Sequence, residues 1–305
     1  MKFIKFSNFA YFCRPNFEPV KRKIILLLFP LFSVFSLFGQ MTAEEMLAKG
    51  DNYYEGKNGV ARNHSMAVKW YQKAADMGNA EAQNQLGYCY FQGEGIQQDF
   101  EEALKWFKKA AEGGSAKGQT NLAACYHKGE TVEQSYEEAF KWYTVAAKQG
   151  YASAQFNLGL CYENGEGTDT SFIDAVKWYL AAAEQGLSDA QNNLGMCYDS
   201  GHGVAQSYTE AVKWYKRAAE KGNTMAEYNL GVCYSKGQGV PLSYSNAVKY
   251  FRKAADKGFA DAQYNLGVCY YHGYAVAKSE HEAAKWWSRA AKQGHKGAID
   301  ALKQL

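Results

Sequence analysis

Apolar residues recur at helical spacing along most of the chain, in short segments that end at glycine. In residues 152–164, the residues Ala154, Leu158 and Cys161 are separated by four and three positions, which places them on one face of a helix. A second segment of the same kind follows at residues 172–184. The glycine-containing stretch between the two segments is typical of a turn. The pattern therefore predicts two short helices joined by a tight loop.

This predicted helix pair returns every 36 residues. The segment NLGLCYENGEG, which begins at Asn157, recurs as NLAACYHKGET from Asn121, QLGYCYFQGEG from Gln85, NLGMCYDSGHG from Asn193, NLGVCYSKGQG from Asn229 and NLGVCYYHGYA from Asn265. A fixed period of about 20 to 50 residues marks a stacked array of repeats. Seven units follow, at residues 43–79, 80–115, 116–151, 152–187, 188–223, 224–259 and 260–295, with a half-unit at 296–305. We therefore predict a single all-α solenoid over residues 41–305 that ends in a capping helix.

A glycine recurs inside each predicted first helix, as at Gly159 and Gly195. Glycine costs a helix interior about 1 kcal/mol relative to alanine. Its recurrence predicts that two helices approach each other too closely there for a side chain.

The second helices carry two further signals. Five of them begin with a pattern typical of a capping box: Asp99-x-x-Glu102, Ser135-x-x-Glu138, Ser171-x-x-Asp174, Ser207-x-x-Glu210 and Ser279-x-x-Glu282. A column of large aromatics occupies the same position of each second helix, and we expect it to fill the space between units: Trp70, Trp106, Trp142, Trp178, Trp214, Tyr250 and Trp286.

The repeated pattern A-x-A-Q-x-x-L-G-x-x-Y-x-x-G-x-G-V, followed by A-x-x-W-Y-x-x-A-A-x-x-G, resembles the Sel1-like repeat, a relative of the tetratricopeptide repeat. The resemblance covers residues 43–305. It implies a right-handed αα-superhelix that binds other proteins, usually as an adaptor. Three residues depart from the pattern, Ala123 in a helix and Thr131 and Ala275 in loops, and we expect less regular packing at these places.

Residues 1–40 differ from the repeats. The basic triplet at residues 21–23 precedes a 15-residue apolar run at 24–38. This order is typical of a secretory signal peptide, and the run is short for a membrane span, which needs about 20 residues. We therefore expect an exported protein, periplasmic or secreted. An uncleaved N-terminal membrane anchor is the alternative.

Without this segment the charge of the chain changes sign. Residues 41–305 contain 28 basic and 30 acidic residues, a net charge of −2. They show no basic stripe of the kind that neutralises phosphates, so we expect no nucleic-acid partner.

Six cysteines fall at one position of successive repeats: Cys89, Cys125, Cys161, Cys197, Cys233 and Cys269. Neighbouring helices lie about 8–10 Å apart, whereas disulfide-linked Cα atoms lie within about 7 Å. We therefore expect free, buried cysteines. His127, His202 and His272 occupy similar loop positions but lie in units two apart, and the loop glycines lack the context of a phosphate loop, so we expect neither a metal site nor a cofactor.

The resemblance also raises an enzymatic alternative, because some proteins with this repeat are linked to penicillin binding and β-lactam hydrolysis. A serine mechanism of that class uses Ser-x-x-Lys. No serine of this chain has lysine three positions later, and Lys-Thr-Gly is also absent. We therefore expect no enzyme. An envelope protein acting on β-lactam or peptidoglycan, and a secreted effector, are kept as alternatives.

A recurring asparagine of the first helices, together with its flanking residues, remains as a candidate binding site. In tetratricopeptide repeats an asparagine at the matching first-helix position lines the concave groove, where its amide donates to and accepts from a peptide backbone. An alternative is that these asparagines fasten neighbouring first helices. Flanking residues of the same helix face form an apolar stripe, which is either buried by superhelical coiling or open as a groove. The predicted groove residues are Asn121, Phe156, Asn157, Leu160, Asn193, Met196, Tyr228, Asn229, Val232, Tyr264, Asn265 and Val268.

The leading hypothesis is thus an exported interaction scaffold. Its groove lacks lysines that would hold a terminal carboxylate. We therefore expect a partner protein or peptide segment with aromatic or aliphatic anchors. A membrane contact is expected only if residues 24–38 remain attached.

Overall fold

A computed structural model describes residues 41–305 of the chain. The signal peptide or anchor predicted at residues 1–40 lies outside the described residues. Fifteen helices occupy the described part, which contains no strand. They are α1 (Ala43–Glu55), α2 (His64–Asp76), α3 (Ala80–Gln92), α4 (Phe100–Glu112), α5 (Ala116–Lys128), α6 (Tyr136–Lys148), α7 (Ala152–Asn164), α8 (Phe172–Glu184), α9 (Ser188–Ser200), α10 (Tyr208–Glu220), α11 (Thr224–Lys236), α12 (Tyr244–Asp256), α13 (Ala260–His272), α14 (Glu280–Lys292) and α15 (Lys296–Lys303).

The helices form a solenoid. Each odd-numbered helix packs against the even-numbered helix that follows it, and each even-numbered helix packs against the first helix of the next unit. The interior is a series of apolar clusters, each shared by adjacent units; in one of them Tyr179 and Ala183 meet Leu194, Cys197 and Trp214. The predicted all-α repeat solenoid is confirmed. Between residues 41 and 305 no helix combines the length and apolarity that a membrane crossing requires.

The helix-interior glycines lie where the two helices of a unit touch. A Cβ atom added to Gly195 would lie 2.6 Å from the Tyr215 ring, and one added to Gly231 would lie 2.5 Å from the Phe251 ring. The predicted close approach is confirmed. Ala123 is the departure from the pattern, and its methyl group is buried in the cluster that contains Tyr143.

The most buried aromatic column lies one residue after the predicted tryptophan column. Its members are 0–4% exposed: Tyr71, Phe107, Tyr143, Tyr179, Tyr215, Phe251 and Trp287. In the tryptophan column, Trp106, Trp214 and Trp286 are buried, whereas the other members are half-buried. A cation three residues later lies over several of these rings, as Arg217 does 4.5 Å from the Trp214 centroid. The tryptophans therefore cover the rim of each interface, and the following aromatic fills it.

The predicted capping boxes are only half formed. The N-cap side chain of each second helix accepts a hydrogen bond from the third helical amide, as Ser207 Oγ does from Glu210. The acid does not return to the N-cap amide, because that amide already donates to a first-helix tyrosine carbonyl (Ser207 to Tyr198, 2.8 Å). Within residues 41–305 the one complete box is at Thr42 and Glu45, where the amide of Thr42 is available to the carboxylate.

A buried glutamine links each unit to the one before it. Its Nε2 atom donates to an alanine carbonyl in the last turn of the preceding second helix at 3.0–3.3 Å. The glutamines are Gln83, Gln119, Gln155, Gln191 and Gln263. Unit six has Glu227 at this position.

A residue at the end of the second helix completes this link. Gln185 donates both to Gln155 Oε1 (2.7 Å) and to the Gly150 carbonyl (2.8 Å). In unit six Lys257 does the same for Glu227, at 2.7 Å. Unit five combines Gln191 with Lys221, which bonds Gly186, and the buried Oε1 atom of Gln191 has no hydrogen-bond partner. The Gln155–Gln185 pair and the Glu227–Lys257 pair are thus two combinations that satisfy the buried side chain. The combination of Gln191 with Lys221 in unit five does not, and we call it mismatched.

We expect Gly195→Ala to lower the free energy of unfolding by about 1–3 kcal/mol, because the new methyl group overpacks the contact with Tyr215. Urea denaturation measures the change. The double variant with Tyr215→Leu is the control: its loss should be smaller than the sum of the single losses, and simple additivity would show that the two residues do not meet.

We expect Lys221→Gln to raise the free energy of unfolding by about 0.5–1.5 kcal/mol, because the new amide can satisfy Gln191. Glu227→Gln should lower it by a similar amount, and adding Lys257→Gln should restore it. If Lys221→Gln destabilises the protein, the interpretation that Gln191 needs a glutamine partner is wrong.

Candidate partner-binding groove

The first helices of successive units lie side by side, and α3, α5 and α7 contact one another directly. We call the face that they present the groove; it contains the asparagines predicted from the sequence. All twelve predicted groove residues are half-buried except Met196, which is 43% exposed. The face is therefore partly open to solvent.

Three of the five predicted asparagines bridge neighbouring first helices. Asn121 Nδ2 donates to Asn84 Oδ1 at 2.8 Å. Asn229 Nδ2 donates to Asn192 Oδ1 at 3.1 Å in the same way, and the amide of Asn265 donates to the Tyr228 hydroxyl at 3.4 Å. The bridging interpretation is therefore confirmed for these three. Contact of the asparagines with a partner remains a prediction.

The aromatic residues of the predicted stripe are engaged within the protein. The Phe156 ring lies 5.8 Å from the Tyr179 ring. Tyr228 lies 5.1 Å from Phe259, and Tyr264 stacks on His295 at 4.6 Å. These three side chains form walls of the groove. The residues four positions further on are the ones that border the open spaces.

A recess separates the first helices of several neighbouring units. Between units two and three it has a volume of about 200 Å³ and is lined by Tyr88, Phe91, Phe107, Asn121, Ala124 and Cys125 among others. The equivalent recess between units three and four includes Asn157 and Leu160 in its lining, and the recess between units six and seven includes Val232, Asn265 and Val268. The recesses thus follow the repeat, with an asparagine and an apolar side chain in each. Lys128 and Lys236 also line them, so the expectation that the groove lacks lysines is wrong.

The buried aromatic column supplies one wall of each recess, and its chemistry differs from unit to unit. Phe107 and Phe251 are purely apolar. By contrast, the Tyr71 hydroxyl donates to Asp51 Oδ1 at 2.9 Å, and the Tyr179 hydroxyl donates to Glu163. Burial and the adjacent carboxylate raise the pKa of both tyrosines.

Sequence reasoning missed these carboxylates. For Glu163 the signal is variation at one position among otherwise constant ones, whereas Asp51 lies in the first unit, which has no cysteine at the repeated position. The residue two places after the repeated cysteine is Phe91, His127, Glu163, Asp199, Ser235 or Tyr271. Burial also raises the pKa of Asp199. The residue two places after the cysteine therefore gives each unit a different polarity, while the residues that pack the helices stay nearly constant.

The six repeated cysteines are free and buried, as predicted. Burial raises the pKa of the Cys89, Cys161, Cys197 and Cys233 thiols to about 12. A thiol that keeps its proton is a weak nucleophile. The column therefore contributes packing. Within residues 41–305 no group of three or more His, Cys, Asp or Glu side chains could hold a metal ion.

A solenoid of helix pairs with a continuous groove defines the chain as a helical-repeat protein. The sequence profile of the Sel1 repeat matches residues 42–79, 80–115, 116–151, 152–187, 188–223, 224–259 and 260–295. The chain belongs to the Sel1 repeat family, which confirms the resemblance noted in the sequence.

Two solved structures support this assignment. The protective antigen c5321 of uropathogenic Escherichia coli, which displays an SLR fold, is 34% identical, with a TM-score of 0.76 over 86% of this chain and 56% of its own. The present chain therefore spans little more than half of that protein. A Sel1 repeat protein of Oxalobacter formigenes is 33% identical, with a TM-score of 0.72 over 80% of this chain and 96% of its own.

None of the curated proteins matches the chain in sequence. Sel1 repeat proteins generally mediate protein–protein interactions, and their fold is typically a scaffold without enzymatic activity. These general properties agree with a groove that holds recesses.

We expect the free energy of unfolding to fall as the pH rises above about 9. An unfolded cysteine ionises near pH 9, whereas the native Cys197 thiol keeps its proton up to about pH 12. The native state then binds more protons, so alkali favours unfolding. Urea midpoints at pH 8, 9 and 10 measure the effect. A Cys197→Ala variant should show a shallower dependence of the urea midpoint on pH.

The cysteines are also expected to be free of disulfides. A denatured chain of residues 41–305 should therefore titrate six thiols, and a smaller number would contradict the prediction of free cysteines.

Proposed function

We propose that residues 41–305 form an exported scaffold that binds an extended segment of a partner protein in the groove. Export rests on the leader pattern of residues 21–38. Binding rests on the family and on the row of recesses. The single observation that carries the proposal is the coincidence, in three separate recesses, of an apolar rim with an asparagine amide.

The recesses suit alternate side chains of an extended peptide. Apolar anchors would enter over Phe107 and Phe251, whose rings carry no polar atom. Glu130 and Thr131 line the first of these recesses as well, and Ser235 and Lys236 line the second. Polar or cationic side chains would suit the places where Glu163 and Asp51 bond tyrosines. Asparagine groups not used between helices are available to the peptide backbone, which gives affinity independent of sequence.

The apolar residues at the rims of the recesses can be substituted without changing a fully buried side chain. Leu160, Met196 and Val232 are exposed or half-buried, so glutamate at each is tolerated by the fold better than a change at Tyr228 or Tyr264. The three substitutions place charge in the path of an apolar anchor. Desolvating such a charge disfavours binding.

We expect the triple variant Leu160→Glu, Met196→Glu, Val232→Glu to bind peptides selected by phage display on the wild type more than about tenfold more weakly, which corresponds to about 1.4 kcal/mol. Fluorescence anisotropy with a labelled peptide measures this affinity, and circular dichroism verifies folding.

The matched control is Met77→Glu, Val145→Glu, Met225→Glu, which introduces the same charges at exposed apolar residues outside the recesses. It should bind normally. Equal binding by both triple variants, or equal loss, would place the peptide elsewhere and exclude the groove.

A further inference from the structure

An aromatic side chain begins each second helix from unit two to unit six. Phe100, Tyr136, Phe172, Tyr208 and Tyr244 are the first residues of α4, α6, α8, α10 and α12. Equivalent positions of stacked units lie on one side of a solenoid. These rings therefore form a row along the edge where the two helices of each unit are joined. We call this side the loop edge; at Tyr244 and Tyr274 it borders the groove recess between units six and seven.

The rings do not cap their helices, although Phe100 contacts Phe91 and Tyr136 contacts His127. The helices already begin with a side-chain cap from the preceding serine or aspartate. The next unit contacts the backbone of the aromatic residue: a Cβ atom at Gly203 would lie 2.2 Å from the Phe172 carbonyl oxygen. Any residue would supply that carbonyl. Phe100, Tyr136, Phe172 and Tyr244 nevertheless remain 36–44% exposed.

The rings also contact side chains that lie on the same edge. Phe172 lies 5.0 Å from His202 of the next unit, and Tyr244 stacks on Tyr274 at 4.6 Å. Both Tyr244 and Tyr274 are exposed. The loop edge therefore carries a row of partly exposed aromatic rings. Exposed apolar surface that recurs in register is typical of an interaction site.

Charge along the loop edge selects the kind of partner. The joining segments 93–102, 129–138 and 165–174 contain many carboxylates and neither lysine nor arginine. Glu101, Glu133 and Asp169 are exposed, and none belongs to an ion pair within the described part of the chain. Segments 201–210 and 237–246 carry a single carboxylate, Glu210. The negative charge thus accompanies the rings of units two to four.

We propose that Phe100, Tyr136 and Phe172, with their neighbouring carboxylates, form a docking surface for an extended cationic segment of a partner protein. Arginine and lysine place their stems on aromatic faces and their charges against carboxylates. Each unit contributes one ring, and an extended chain advances about 3.3 Å per residue. A segment with cations at regular intervals therefore presents them along the row of rings. This proposal stands independently of the groove.

The probe is a labelled peptide of five Arg-Leu-Ser triplets, compared with one of five Glu-Leu-Ser triplets, on the chain from residue 41. We expect the arginine peptide to bind at least about tenfold more tightly in fluorescence anisotropy. Its affinity should fall as salt rises from 50 to 300 mM, because the Debye length is about 10 Å at 0.1 M.

Two sets of variants separate the contribution of the carboxylates to peptide binding from that of the aromatic rings. Glu101→Gln with Glu133→Gln and Asp169→Asn should weaken binding about tenfold and flatten its salt dependence. Phe100→Ser with Tyr136→Ser and Phe172→Ser should weaken it about tenfold at every salt concentration. Tyr208→Ser with Tyr244→Ser, in units that lack the carboxylates, should change it less than about threefold.

The matched control is Glu112→Gln with Glu184→Gln and Glu220→Gln. These exposed carboxylates lie at the opposite ends of the second helices, about 18 Å away along a 13-residue helix. The control removes the same charge and should leave the affinity unchanged. Equal weakening by the control, or no effect of the ring variants, would overturn the proposal. Light scattering that shows self-association lost with the ring variants would identify a second copy as the occupant and would also overturn it.

Discussion

The structure depends on the contact between a glycine-bearing first helix and the aromatic ring of the second helix in the same unit. Gly159 faces Tyr179 so closely that a Cβ atom would lie 2.6 Å from the ring. Interiors pack at crystal density, so such a contact specifies the distance between the helices. Because six of the seven units repeat the contact and unit three has Ala123 in its place, the helix pairs have nearly the same shape and stack in register. The groove and the loop edge are both consequences of that stacking.

Polar links keep the units in register where apolar packing alone would allow slippage. The glutamines that reach the preceding helix are buried, and most have both ends of the amide satisfied. Glu227 and Lys257 replace an amide pair by an ion pair in the same geometry. A buried polar group left without a partner is costly, so a matched pair stabilises an interface more than a mismatched one does. The mismatch at Gln191 shows where the stack is weakest by this criterion.

The regular scaffold carries variable chemistry on two sides. Along the buried aromatic column, some members are phenylalanines, whereas two tyrosines bond Asp51 and Glu163. On the loop edge, exposed rings accompany carboxylates only in units two to four. The two surfaces therefore differ in charge, and different segments of partner proteins would suit them. A repeat protein supports this division because residues on its surfaces change without disturbing the stack.

The sequence by itself determined the repeat, its helix pairs and the burial of cysteine and leucine, because these follow from local periodicity and a constant 36-residue step. It also predicted the close contact at the glycines. It did not predict that Tyr71 and its equivalents, rather than the tryptophans, fill the interior. Adjacent positions of a helix differ by about 100° in direction, and both residues are aromatic, so only the tertiary structure decides which one faces the partner helix.

The half-formed capping boxes have the same origin. The local pattern around Ser207 and Glu210 is complete, but the Ser207 amide donates to the Tyr198 carbonyl of another helix. The asparagines were likewise recognisable as a column, whereas their hydrogen bonds to Asn84, Asn192 and Tyr228 depend on the distance between units. Local sequence sets which groups a residue offers. Which of them are used within the protein, and which stay open to a partner, is decided by the neighbours that stacking brings within hydrogen-bond range.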